Sequence, residues 1–308
     1  MSQTITVPPL TQPTRLDKFL VSQLPTLSRH LLQQNIKQGL ITVNNKKATP
    51  HHWLKKDDVI NYPLLVNKPK TTLQPNPNVK WELIKDTVDY LIINKPSGLT
   101  THPASGVTEP TLIEGVVAKY PDLKTVGEDA LRPGIVHRLD KEASGLMVVA
   151  KNQAMFEHLK NAFQERKVAK EYSALVIGQM HQPSGTINFS ISRSKNNRTK
   201  MAAQAANQTG GKEAVTHFTV VKQYQAVCLI SVTIATGRTH QIRTHLNSYG
   251  HPLVGDPIYR PKNLSFKNNP GRLFLHATKL GFFDLLNNWQ EFVSPLPLEL
   301  QDFLKQLS

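Results

Sequence analysis

Arg132-Pro-Gly-Ile-Val-His-Arg-Leu-Asp-Lys-Glu-Ala-Ser-Gly-Leu-Met-Val-Val-Ala-Lys151 decides how this chain is read. It sets one carboxylate, Asp140, between two cations, Arg138 and Lys141, ahead of a bend marked by Gly145. The bend runs into Leu146–Ala150, an apolar run of strand length. A carboxylate at a turn beside fixed cations can stay ionised and be aimed at a substrate. The plainer alternative is an aspartate that caps the turn at Ser144-Gly145, the commoner fate of a loop aspartate.

Outward from this stretch, elements alternate without a repeat. Tyr90–Asn94 reads as a strand, and Leu112, Ile113, Val116 and Val117 predict a helix. Residues 153–167 predict an amphipathic helix with Met155, Phe156, Leu159, Ala162 and Phe163 on one face and Asn152 as its cap. Strands are expected at 172–177, 214–221 and 226–235, and 241–246 should open a helix after the Gly237 turn. Strands outnumber helices and follow no βαβ rhythm, which predicts an α+β fold with a mixed, mainly antiparallel sheet flanked by helices. Residues 193–213 are polar, basic and glycine-bearing, the composition of a mobile loop.

The 308 residues suffice for one large domain and one small one. Lys and Arg number 37 against 22 acidic residues, a net charge of +15. Such an excess favours a polyanionic partner, because neutralised phosphates release condensed counterions. A lone cysteine, Cys228, excludes an intramolecular disulfide. It sits in an apolar run with no cation beside it, and reads as a core residue. Residues 1–14 read as a flexible N-terminus without the pattern of a secretory signal. No apolar run approaches the roughly 20 residues that span a bilayer. A soluble, cytoplasmic monomer is expected, with no membrane partner.

Residues 15–62 form a unit of their own. Leu16, Phe19, Leu20 and Leu24 recur at helical spacing; Ser28 is a candidate cap for a second helix that stops at Gly39. Leu40–Val43, an Asn44-Asn45 turn and Val59–Tyr62 complete it as strands. Arg15-Leu-Asp-Lys-Phe-Leu20, Ser28-Arg29, Ile36-Lys-Gln-Gly-Leu-Ile-Thr-Val-Asn44 and Lys56-Asp57-Asp58-Val59 make the unit resemble the S4 RNA-binding domain. Arg15, Lys18, Arg29 and Lys37 are its candidate RNA contacts, against the ordinary reading of a solvated charged face. Residues 63–80, with Pro63, Pro69, Pro75 and Pro77, read as a linker, and residues 81–308 as a second, larger domain.

Three segments of that larger domain belong together. The first is Ile92-Ile-Asn-Lys-Pro-Ser-Gly-Leu99, ending in His102-Pro103. The second is the Asp140 stretch with Lys170-Glu-Tyr-Ser-Ala-Leu-Val176. The third is Thr236-Gly-Arg-Thr-His-Gln-Ile-Arg-Thr-His-Leu246 with Gly250-His-Pro-Leu-Val-Gly-Asp-Pro257, and Leu275-His-Ala-Thr278 follows. In this order and at these separations they resemble the RluA-type pseudouridine synthases, which isomerise uridine in RNA.

The resemblance implies Asp140 as the catalytic residue, Arg243 as its cationic partner, and Tyr172 stacked on the target uracil with its hydroxyl near carbon 5. It implies Arg138 as the arginine that fills the space left by the displaced base. His102, Arg238 and His240 are weaker candidates for shaping the pocket or holding RNA. On pattern alone Tyr172 could equally face the core, and Arg243 could be a surface ion pair. The base never leaves the pocket in this chemistry, so neither cofactor nor metal is expected; the histidine spacings also fit no metal site. Glu142-Ala143 stands where the family carries Asp-Thr, and Leu280–Asp284 lacks the family's histidine-proline. The S4-like unit points to large-subunit ribosomal RNA. The alternatives are a transfer-RNA substrate and a non-catalytic RNA-binding assembly factor.

Overall fold

The structure is a computed structural model and describes residues 2–25, 27, 29–64, 73–103, 109–194, 200–204, 211–260, 266 and 268–307. It divides into two compact units, Met1–Thr72 and Leu73–Ser308.

In the first unit, β1 (Ser2–Thr6), α1 (Leu16–Gln23), α2 (Arg29–Gln38), β2 (Thr42–Val43), β3 (Lys46–Lys47) and β4 (Val59–Pro63) follow in order. The sheet runs β1-β4-β2-β3, all antiparallel. Leu16, Phe19 and Leu20 of α1 bury against Leu32 and Ile36 of α2 and Ile60 of β4. The Asn44-Asn45 turn has φ of 50° and 62°, a conformation asparagine tolerates in tight hairpins. The expected cap Ser28 lies outside the described residues. The expected flexible N-terminus is corrected: Ser2–Thr6 pairs with β4 along its length, and Val7 is fully buried. β4 would otherwise expose a row of unpaired backbone groups on that side, which β1 covers.

The expected linker is corrected too. Leu73 packs into the core of the second unit, and Asn76 N donates to Glu114 O at 3.0 Å, so that unit begins before residue 81. Residues 65–72 of that stretch lie outside the described residues.

The second unit contains β5 (Glu82–Asp86), β6 (Tyr90–Lys95), α3 (Leu112–Lys119), a 3-10 turn (Pro121–Thr125), β7 (Ser144–Ala150) and α4 (Gln153–Gln164). There follow β8 (Ala169–Ile177), β9 (Ser184–Asn188), β10 (Ser190–Arg193), β11 (Met201–Gln204), β12 (Val215–Gln223), β13 (Val227–Ile234), α5 (Gln241–Ser248), β14 (Leu275–Phe283), β15 (Trp289–Val293) and α6 (Leu298–Lys305). The large sheet runs β5-β6-β7-β14-β8-β13-β12-β9, with β15 also paired to β14. Its described pairs are antiparallel except β7 with β14, which is parallel. This is the α+β fold with a mixed, mainly antiparallel sheet.

Part of the expected mobile loop is a strand: β11 pairs with β10 from Ser190↔Gln204 to Arg193↔Met201. Residues 195–199 and 205–210 lie outside the described residues. α4 forms where its apolar stripe requires. The Asn152 side chain accepts from Met155 N at 2.9 Å, and Met155, Phe156 and Leu159 are buried. β7 is buried throughout and occupies the middle of the core with β6. Gly145 sits where β7 meets β14. At its φ of +118° a Cβ would lie 2.3 Å from Ala277 O, so only glycine admits the neighbouring strand there.

Candidate active site

Asp140 lies on the loop that enters β7, and the loop's backbone is pinned from the other side by residues 95–101. Thr101 Oγ1 donates to Leu139 O at 3.0 Å, Ser97 Oγ to Glu142 O at 2.5 Å, and Gly98 N to Lys141 O at 2.8 Å. Lys95 Nζ adds a bond to Lys141 O at 3.2 Å, with further bonds to Pro96 O at 2.9 Å and Leu99 O at 2.8 Å. Lys95 is fully buried; burial pulls its pKa down to about 7, while the charge of Asp140 pushes the other way. Carbonyls on both sides of Asp140 are therefore fixed before any substrate arrives.

The cation facing Asp140 comes from α5. Arg243, with no exposed side-chain surface, places Nη1 at 3.5 Å from Asp140 Oδ2 and 2.9 Å from Glu142 Oε2. Its Nε and Nη2 bond the two carboxylate oxygens of Asp256, each at 2.8 Å. Burial works against the guanidinium, but the bonds and charge of Asp256, with the charges of Asp140 and Glu142, outweigh it and raise its pKa. Burial likewise pushes the Asp256 carboxyl up, and Arg243 overrides this to hold it below the usual carboxylate range. Ile258 N and Tyr259 N also donate to Asp256 Oδ1, at 2.8 and 3.0 Å. The basic pair flanking Asp140 in the sequence is not its counter-charge. Lys141 instead pairs with Glu109 at 3.2 Å, and no ion pair joins Arg138 to Asp140 among the described residues.

Asp140 opens into a cleft of about 590 Å³ that is also lined by Tyr172, Arg138, His102, Arg238 and His240. Six of the expected site residues thus share one cleft, and Arg243 lies behind it. Tyr172 is buried on β8; burial and the Asp140 charge both raise its pKa, so the phenol keeps its proton. His102 Nδ1 lies 3.0 Å from Pro103 O, and burial is the main cause of its lowered pKa. His240 caps α5 in a left-handed conformation, φ 54°, with Nδ1 3.0 Å from Tyr259 Oη; burial lowers its pKa. Arg238 Nε donates to Glu213 O at 3.1 Å.

The four candidate RNA contacts of the first unit are placed differently. Lys18 and Lys37 are exposed. Arg15 and Arg29 both bond the fully buried Asp17, each through Nη2 to Oδ2 at 2.8 Å. Burial pushes the Asp17 carboxyl up, but the bonds from Arg29, Arg15 and Gln33 hold it well below the carboxylate range. Part of each guanidinium is thus committed to the fold.

Three site residues escaped the sequence reading. Asp256 stood in a quoted motif with no role, although a carboxylate in an apolar run is itself a sign of a buried pair. Glu142 reads in the sequence as a departure from the family pattern, and the structure makes it a contact to Arg243. Lys95 lies just past the expected strand Tyr90–Asn94, in a segment that gives it no role of its own.

A sequence model described as RNA pseudouridylate synthase matches residues 89–248, and the S4 domain model matches residues 14–60. An uncharacterized RNA pseudouridine synthase of Chloroflexus aurantiacus is 38% identical over 98% of this chain and 93% of its own length. The ribosomal large subunit pseudouridine synthase D of Neisseria meningitidis serogroup A is 36% identical over 98% of this chain and 81% of its own. Among solved structures, human RNA pseudouridylate synthase domain containing 1 superposes with a TM-score of 0.59 at 26% identity. It covers 73% of this chain and 86% of its own.

Proposed function

Since the chain belongs to the RNA pseudouridylate synthase family, we propose that Asp140 is the residue that starts its uridine isomerisation, and that the substrate is large-subunit ribosomal RNA. The observation that carries this is the arrangement of Asp140. Its side chain is 15% exposed at a cleft lined by Tyr172, and it is backed by a guanidinium with no exposed surface. The carboxylate can reach a substrate while its counter-charge cannot leave with solvent.

The reaction breaks the bond from C1′ to N1 of uracil, turns the base, and joins C1′ to C5. The C5 proton is lost and N1 gains one, so no atoms or electrons are exchanged and a cofactor has nothing to supply. Asp140 acts as nucleophile or as the base that begins deprotonation of the sugar. Tyr172 offers a ring on which the base stacks, a contact worth roughly 1–3 kcal/mol. A base paired or stacked in RNA must first be swung out. Arg138, exposed at the cleft, has the flat cation suited to fill the gap.

The S4 domain supplies RNA contacts, with Lys18 and Lys37 exposed for that role. The ribosomal substrate rests on similarity to relatives named for the ribosomal large subunit. We take the working form to be a cytoplasmic monomer. Among the described residues no helix is long and apolar enough to cross a membrane.

Asp140→Asn tests the chemistry. Carbodiimide labelling followed by reverse transcription should find no product, while RNA binding stays within about threefold of wild type, a change under 1 kcal/mol. Product formed by Asp140→Asn at a normal rate would overturn the assignment. Mapping pseudouridines with and without the gene tests the substrate. Sites lost only from transfer RNA would overturn the ribosomal assignment.

A further inference from the structure

The cleft is lined by six lysine and arginine side chains: Arg132, Arg138, Lys160, Arg166, Lys170 and Arg238. Four have partners inside the protein. Arg132 pairs with Asp129, Lys160 with Glu128, Arg166 with Glu213, and Arg238 bonds the Glu213 carbonyl. Arg138 is exposed, where water serves it. Lys170 differs from all of these. It is half-buried, and its Nζ has no hydrogen bond or ion pair among the described residues. What faces the ammonium is the Phe163 ring, 5.4 Å from its centroid. Phe163 in turn is stacked on His137 at 4.6 Å, and Val148 N donates to His137 Nε2 at 3.1 Å. The lysine is thus held at the cleft wall by an aromatic face without an anion to complete it.

Its register is the second observation. Lys170 and Tyr172 both lie on β8 and both line the cleft. Alternate strand residues share a face and stand about 6.6 Å apart along it. Glu171 between them faces away and accepts from Ser231 Oγ at 2.8 Å. A uridine whose base lay on Tyr172 would have its backbone within reach of this neighbouring position.

We propose that Lys170 is a phosphate-binding residue that receives the phosphodiester flanking the uridine seated on Tyr172. This rests on the reading of the cleft as the uridine site. A half-buried cation without a partner weakens the free protein, and such groups gather where a ligand supplies the opposite charge. Burial pulls the Lys170 pKa down to about 8, which leaves the group mostly charged at neutral pH. Its role is to position the target nucleotide rather than to react.

The test compares full-length wild type, Lys170→Met and Lys170→Arg on an RNA fragment in which the wild type forms pseudouridine. Lys170→Met should raise KM roughly tenfold, the loss of one charge-assisted hydrogen bond, with a much smaller fall in kcat. The slope of log KM against log salt should become shallower by about one. The Tm should rise, because an unpartnered charge has been removed. Lys170→Arg should restore most of the lost KM. A Met variant with wild-type KM and salt slope overturns the proposal. So does one with a raised KM, an unchanged slope and a lowered Tm, since that pattern belongs to lost packing on Phe163. The outcome is independent of the Asp140 test. An active Asp140→Asn enzyme alongside the expected Lys170 results would discard the catalytic assignment and keep the phosphate contact.

Discussion

Asp256 takes two nitrogens of Arg243, Nε and Nη2, at 2.8 Å each, and leaves Nη1 to face Asp140 at 3.5 Å. The bidentate grip fixes the plane of the guanidinium, and with it the direction of the remaining nitrogen. Arg243 is thus held by one acid and offered to another. Glu142, at 2.9 Å, shares that nitrogen from a more exposed position, 28% against 15% for Asp140.

Asp256→Asn should therefore damage chemistry and stability together. Removing one partner of a buried pair costs about 3–5 kcal/mol. Urea denaturation should show a loss of that order. Among molecules still folded, kcat should fall at least tenfold, with KM for RNA nearly unchanged. A variant with normal kcat would show that the orientation of Arg243 does not matter.

Lys95 provides a test by pH. Its three carbonyl acceptors call for three donors, which only the ammonium form has. Burial opposes that form and brings the pKa to about 7, against 10.5 for a free lysine. Between those values the unfolded chain binds more protons than the folded one, so this residue's contribution to stability rises with pH from about 7 to 10.5. The stability of wild type relative to Lys95→Met should improve by about 2 kcal/mol between pH 7 and 9. A flat difference across that window would mean that the carbonyls keep the folded pKa near its ordinary value. The Met variant should also lose turnover, because Lys141 O gives up one of its two donors.

Asp17 should govern the acid limit of the first unit. Its folded pKa is depressed, so its contribution is present above the unfolded value of 3.8 and is lost as pH falls through the folded pKa. Asp17→Asn removes that contribution at neutral pH. It should raise amide exchange in α1 and α2 of the full-length protein by two or more orders of magnitude, matching about 3 kcal/mol. Exchange confined to wild-type rates would show that Arg15 and Arg29 do not depend on this acid.

How much of this was legible in the sequence depended on distance along the chain. Asp140, Arg138 and Gly145 are close neighbours in one motif, while the strand pattern left Tyr172 free to face the core and only the resemblance put it at the site. The Arg243 pairing came from resemblance, and the structure brings its Nη1 to Asp140 across 103 positions. Asp256 stayed hidden because nothing local says which of several acids a buried arginine will choose. Lys141 misled for the opposite reason. Its nearness to Asp140 suggested a pair, but its side chain leaves the loop toward Glu109. β1 was missed because its polar residues hide an edge strand, which need bury only part of its surface.

The charge cluster also sets a schedule for the chain during synthesis. The first unit's sheet is complete once Pro63 has emerged, whereas Arg243 cannot be oriented until Asp256 exists. Domains form in the order in which the ribosome releases them. The first unit can therefore be folded while the charge cluster behind Asp140 still lacks its last acid.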